Sequence, residues 1–277
     1  MTDIFIKSFN RPFYLDRCIS SINKYVSGDF RIKVLDDGTP EQYLDKIRKK
    51  YYSLVKKFHQ LENDISDNAI HDKRVILCKV RAVLLVLDTK EKHIHNGNKV
   101  FALMGKMRNL QVQRLILLSD ERKSETYPYI LYLEIKLKKN GMKIRKFIRK
   151  HQVRFPEIDR TKKTDAEQIK SELLLAHDKL RKMIVAIDTY EAATIHKIRK
   201  SFKRFRYLIE ILSIVKTVDK ETLDKLKEFQ DRLGEIQDFR MLIKGLNQFS
   251  LKINSPIDIL PFESIQTKLV SKFSEEI

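Results

Sequence analysis

From Ile195 to Leu212 the chain reads Ile-His-Lys-Ile-Arg-Lys-Ser-Phe-Lys-Arg-Phe-Arg-Tyr-Leu-Ile-Glu-Ile-Leu. Wound as a helix at about 100° per residue, this stretch gathers His196, Arg199, Lys203 and Arg206 into one arc of about 80°. Ile195, Ile198, Phe202, Phe205, Ile209 and Leu212 fill the arc beside it, so an apolar face can enter a core with a cationic stripe alongside. About 125 residues earlier, Ile70 to Leu87 repeats the plan. His71, Arg74, Cys78 and Arg81 take the cationic phases, and Ile70, Leu77, Val80, Leu84 and Leu87 take the apolar ones. One basic amphipathic helix is ordinary. Two with His and Arg in register point to an internal duplication.

A third correspondence supports it. Leu103-Met104-Gly105-Lys106-Met107-Arg108-Asn109 follows the first copy, and Leu233-Gly234-Glu235-Ile236-Gln237-Asp238 follows the second. Around these landmarks, apolar spacing at three and four predicts helices over about 41–62, 69–88, 97–118 and 124–150, then 164–188, 191–216, 220–250 and 257–275. Breaks fall at Asp67-Asn68, Asn96-Gly97-Asn98, Phe155-Pro156 and Ser255-Pro256, and Asn140-Gly141 is a further candidate within the fourth helix. Thr164 with Glu167 has the form of a capping box. Short connections favour antiparallel bundles, so 44–155 and 156–277 are each expected to form a four-helix half.

Residues 1–43 differ. Ile4-Phe5-Ile6 suits a buried strand, Leu15 to Tyr25 a helix, and Phe30 to Leu35 a second strand ending at Asp36-Asp37-Gly38. The next helix opens at Thr39-Pro40 with Gln42 completing a capping box. The expected fold is therefore mainly α: two duplicated four-helix bundles preceded by a short βαβ segment.

Composition narrows the partners. Of 277 residues, 56 are Lys or Arg and 37 Asp or Glu, a formal net charge of +19. Residues 1–43 are balanced, with six basic and six acidic side chains, so the excess lies in the helical part. Such a field favours nucleic acid, an anionic surface or polyphosphate. The apolar start is too short for a secretory signal, and the longest apolar run, Ala82 to Leu87, is far below a membrane span, so no membrane partner is expected. Cys18 and Cys78 have no metal-like spacing and fit a reducing cytoplasm.

The paired motifs resemble the CHAD domain, the conserved-histidine α-helical domain, whose hallmark is His-x-x-Arg followed by Lys and Arg, once in each of two four-helix halves. Here they are His71-Asp72-Lys73-Arg74 with Lys79 and Arg81, and His196-Lys197-Ile198-Arg199 with Lys203, Arg204 and Arg206. The Gly-x-x-Arg-Asn and Gly-x-x-Gln-Asp segments at Gly105 and Gly234 match as well. The resemblance covers about residues 44–277 and implies binding of inorganic polyphosphate in a basic channel between the bundles, without catalysis. It also suggests association with polyphosphate granules. Cys78 stands where the family usually has a basic residue. Residues 1–47 have another likeness: Ser8-Phe9-Asn10-Arg11-Pro12, Leu15 with Cys18, and Val34-Leu35-Asp36-Asp37-Gly38-Thr39 resemble the opening of family 2 glycosyltransferases. No downstream Asp-x-Asp follows, and the helices leave no room for the remaining sheet. That segment reads as a remnant or an accessory packing element.

A polyphosphate chain carries about one charge per phosphate and offers no base edges, so its receptor needs many Lys and Arg donors in a groove. His71, Arg74, Lys79, Arg81 and Arg108 are the candidates from the first half, and His196, Arg199, Lys203, Arg204 and Arg206 from the second. Lys79 and Arg204 lie about 80° from the histidine phase, at the rim. Arg240 is a further candidate from the third helix of the second half; the run Lys136 to Lys150 extends the positive surface, and most of it reads as a solvated face. The rival readings are nucleic-acid binding by the same surface and glycosyl transfer by the N-terminal segment. No catalytic group, cofactor or metal site is expected: the chain has no P-loop and no nucleophile elbow, and the histidines lack ligand spacing.

Overall fold

The computed structural model describes residues 2–8, 30–36, 40–87, 93–121, 124–158, 166–185, 192–214 and 218–275. Two compact units divide at residue 46. In the first, β1 (Thr2–Ser8) and β2 (Phe30–Asp36) pair in parallel, with Ile4 opposite Ile32 and Ser8 opposite Asp36. The helix expected at Leu15 to Tyr25 and the capping box at Thr39 lie outside the described residues.

Among the described residues eight helices follow: α1 (Pro40–Gln60), α2 (Asp67–Val86), α3 (Gly97–Ser119), α4 (Tyr127–Lys150), α5 (Ala166–Val185), α6 (Ala192–Leu212), α7 (Lys220–Ile253) and α8 (Leu260–Glu275). Their ends have local causes. Ser66 caps α2, its hydroxyl accepting from the Ala69 amide at 3.3 Å, and Asp219 caps α7 by accepting from the Thr222 amide at 2.6 Å. Asn96 before α3 and Asn254 after α7 take the left-handed backbone conformation, at φ 59° and 49°. The capping box expected at Thr164 falls outside the described residues.

The candidate break at Asn140-Gly141 does not interrupt its helix, α4. The Asn140 side chain donates to the Lys136 carbonyl at 2.8 Å, one turn back. A Cβ on Gly141 would lie 3.1 Å from Ile65 Cδ1, so the glycine admits a neighbouring loop without ending the helix.

Helices consecutive in sequence pack together from α2–α3 through α3–α4, and from α5–α6 through α7–α8; α2 also meets α6, and α3 meets α7. Helix α7, about 50 Å long by its rise per residue, serves two cores. Its Leu233 and Ile236 pack with Leu180, Ile195, Ile198, Phe202 and Phe273 of α5, α6 and α8. Its Leu242, Leu246 and Phe249 pack with Leu117, Tyr129, Ile130 and Leu133 of α3 and α4. Each such side chain contributes about 1.5–3 kcal/mol when fully buried, so these contacts fix the scaffold on which α2 and α6 stand.

A buried cation ties α2 to the preceding turn. Lys73, 1 % exposed, donates to the carbonyls of Glu62 at 3.0 Å and of Asp64. Helix α1 buries Ile47, Tyr51, Leu54 and Phe58 at helical spacing. The Tyr51 hydroxyl donates to the Pro156 carbonyl at 2.6 Å, and Phe58 meets Phe155 edge-on, so the Phe155-Pro156 break lies against α1. No described helix is long and apolar enough to cross a membrane.

Candidate functional site

The site is built where α2 and α6 pack. Arg74 comes from the first helix and Arg199 from the second, and each lies over a glycine of the helix that follows its own. A Cβ on Gly105 would stand 3.2 Å from Arg74 Nη1, and one on Gly234 would stand 3.7 Å from Arg199 Nη2. This explains the repeated glycine segments: the absent side chains leave seats for two guanidinium groups. Phe101 of α3 carries two more contacts, with Arg74 Cζ 4.9 Å and Arg81 Cζ 4.6 Å from its ring centre. Arg81 Nη2 also donates to Asn98 Oδ1 at 2.7 Å.

On α6 the pattern recurs with different partners. Tyr207, 3 % exposed, lies under Arg206 Cζ at 4.5 Å and Lys203 Nζ at 5.7 Å. Burial pushes its phenol up to about 12. Arg206 Nε donates to Gln230 Oε1 at 2.8 Å, and its Nη1 reaches Glu210 Oε2 at 3.4 Å. Lys79 of α2 pairs with the other oxygen of Glu210, bridging the two helices.

These cations lie within electrostatic reach of one another. Burial pushes the Arg74 guanidinium below the usual arginine range, and Arg199 and Arg108 push the same way. Burial likewise lowers the Lys203 ammonium, with Arg199, Arg74 and Arg206 adding to it. Cys78 opposes both shifts and lies among Arg74, Lys203 and Tyr207. Asp238 supplies negative charge: burial raises its carboxyl, and Arg199, Arg108 and Arg74 pull it back down. The Nε of Arg199 is buried without a hydrogen-bond partner among the described residues. Holding mutually repelling cations partly buried carries a desolvation cost, which Asp238 offsets in part and a bound anion would offset further.

The histidines flank this cluster. His71 sits exposed at the rim, held below the ordinary histidine range by partial burial and by Arg108, Lys203 and Arg74. His196 is lowered by burial and by Lys200, Arg199 and Arg240, against the hydrogen bond between its Nδ1 and Gln237 Oε1 at 3.1 Å. Gln237, which bonds His196, and Arg108, which acts on His71 through its charge, each stand three residues after the glycine of their segment.

Arg204 is placed elsewhere. It is exposed, bonds Glu172 of α5 at 3.3 Å and lines a groove between α5 and α6 with Lys197 and Lys200. A second groove, between α7 and α8, has lining charges of both signs, including Asp224, Glu228, Asp231 and Lys227. Neither groove coincides with the α2–α6 cluster. Tyr207, Phe101, Glu210 and Gln230 belong to the site and were not singled out from the sequence. Glu210 alone carried a signal there, as the carboxylate one turn beyond Arg206 on the same stripe. Among the described residues no group of His, Cys, Asp and Glu is arranged to hold a metal ion.

Comparison with known proteins bears on family and fold. No curated protein matches the chain. The crystal structure of the CHAD domain from the plant Ricinus communis is similar at a TM-score of 0.55 and 15 % identity, covering 85 % of this chain and 84 % of that one, a likeness of fold. The family model for the CHAD domain matches residues 46–246, which lends no support to the glycosyltransferase likeness of the N-terminal segment. Because that match takes in most of the chain, including both His-x-x-Arg helices and both glycine segments, the chain belongs to the CHAD domain family.

Proposed function

We propose that this protein binds inorganic polyphosphate, without catalysis, in the cationic cleft between α2 and α6. The observation that carries the reading is the convergence of Arg74, Arg108, Arg199 and Lys203, partly buried and mutually repelling. In this reading Arg74, Arg199 and Arg81 present guanidinium forks to phosphate oxygens, Lys203 adds a point charge, and His71 and His196 stand at the rim. The halves 44–155 and 156–277 are products of one duplication, each supplying a cation row. A flexible chain of tetrahedral phosphates suits such rows because every unit offers charge and acceptors alike.

Nucleic acid is the competing ligand for the same field. Single-strand binders present aromatic platforms to bases. Here Tyr207 is buried and Phe101 already carries two guanidinium groups, which favours a ligand without bases. The test is competition at physiological salt among long-chain polyphosphate, single-stranded RNA of equal charge and heparin. Polyphosphate is expected to displace the other two. Equal affinity for RNA would replace this reading with a general polyanion site.

A further inference from the structure

We infer that Glu210 closes one end of the anion path and withholds Lys79 and Arg206 from the ligand. The inference rests on the polyanion reading and assigns a boundary to that site. Along α6, His196, Arg199, Lys203, Arg206 and Glu210 share one arc, so a row of positive groups terminates in a carboxylate. Both carboxylate oxygens are engaged: Oε1 by Lys79 from α2, and Oε2 by Arg206 Nη1 at 3.4 Å. The three side chains are 26 %, 23 % and 14 % exposed, for Glu210, Lys79 and Arg206 respectively, so water screens them only in part. Arg206 is further tied down by Gln230 at 2.8 Å.

Glu210 therefore occupies the place a phosphate would take between these two cations. A ligand extending past Lys203 must displace a fixed carboxylate or approach it against like charge. The corresponding residue of the first copy, 125 positions earlier, is Leu85. The stop is thus present on one helix only, and the two rows are unequal in length as seen by an anion. A chain of phosphates is admitted from the Arg74–Arg199 side and terminated at Glu210.

The test is Glu210→Gln, which removes the charge and keeps the volume, compared with Glu172→Gln, which makes the same change in net charge beside Arg204 in the α5–α6 groove. Binding of long-chain polyphosphate is measured across salt concentrations. Freeing two cations should tighten binding about 15-fold at 150 mM salt and steepen the log–log salt slope by about 1.4, at 0.7 per contact. Glu172→Gln should leave the slope unchanged. If Glu210→Gln fails to fold, Glu210→Leu, the residue of the first copy, carries the same expectation. An unchanged slope in the Glu210 variants, or equal tightening in Glu172→Gln, overturns the inference while the cleft stands. A wild-type protein with no affinity for polyphosphate removes both.

Discussion

Replacing Arg199, Lys203 and Arg206 together by alanine removes most of the cation row of α6, and the structure sets the size of the effect. Each phosphate contact on a flexible polyanion contributes about 0.7 to the log–log salt slope. Three lost contacts would lower the slope by about 2, equivalent to about 50-fold in affinity at 150 mM salt. Arg206, however, is committed to Glu210 and Gln230, so it counts for less than Arg199 and Lys203. With two effective contacts the loss is about 15-fold, so the expected range is about 15- to 50-fold. Stability should respond differently. Losing the Gln230 hydrogen bond costs about 1 kcal/mol, while removing charges that depress one another relieves repulsion. The two offset each other, and the thermal midpoint should stay within about 3 °C. Isothermal titration across a salt series, with a thermal melt of each variant, checks both. An unaltered salt slope, or collapse of the fold, would refute the reasoning, since either would make the row an architectural feature.

Cys78→Lys should place a further cation beside Arg74 and Lys203, tightening polyphosphate binding about fourfold at 150 mM salt while lowering the melting temperature of the free protein; the same titration and melt read both. For pH, the imidazoles of His71 and His196 both sit below the ordinary value when the site is empty. The unfolded chain therefore takes up protons first, and the unliganded fold should lose stability as pH falls through about 6.5. A bound polyanion favours the charged imidazoles, so affinity should instead rise over that interval, and the double change of His71 and His196 to Ala should flatten the titration. Gly245→Ala should destabilise the fold by about 2–4 kcal/mol, the helix-propensity gain being outweighed by overpacking and a lost buried hydrogen bond. The reason is a new Cβ 2.1 Å from the Tyr129 hydroxyl, which donates to Gln113 Oε1 at 2.7 Å. Chemical denaturation gives the sign, and a stabilised variant would contradict this packing.

Much of this was legible in the sequence, for reasons that individual residues make plain. Helix existence followed from apolar spacing, and the phases of Arg74, Arg199 and Lys203 placed them together because α2 and α6 present the same stripe to one another. Arg204 and Lys79 stand equally far from the histidine phase, yet one meets Glu172 on α5 and the other crosses to Glu210. Phase alone could not separate them, because the outcome depends on which helix lies on each side. The apolar arc of α6 was drawn too narrowly. Tyr207, Leu208 and Ile211 are buried, whereas Ile209 and Leu212 are only partly so, because α6 packs against α2 as well as α5 and α7. Asn140-Gly141 left the continuity of its helix open for a related reason: the glycine answers to Ile65, a contact remote in sequence.

The seating of Arg74 and Arg199 over Gly105 and Gly234 has a consequence for how a ligand is received. These guanidinium groups are located by main-chain clearance in adjoining helices, which persists whether or not an anion is present. On the polyanion reading, a ligand would meet charges already parked, with little rotamer freedom left to surrender on capture. Tightness in such a site comes from rigidity prepared during folding, and a bulkier residue at either glycine would erode it from the opposite side of the helix pair.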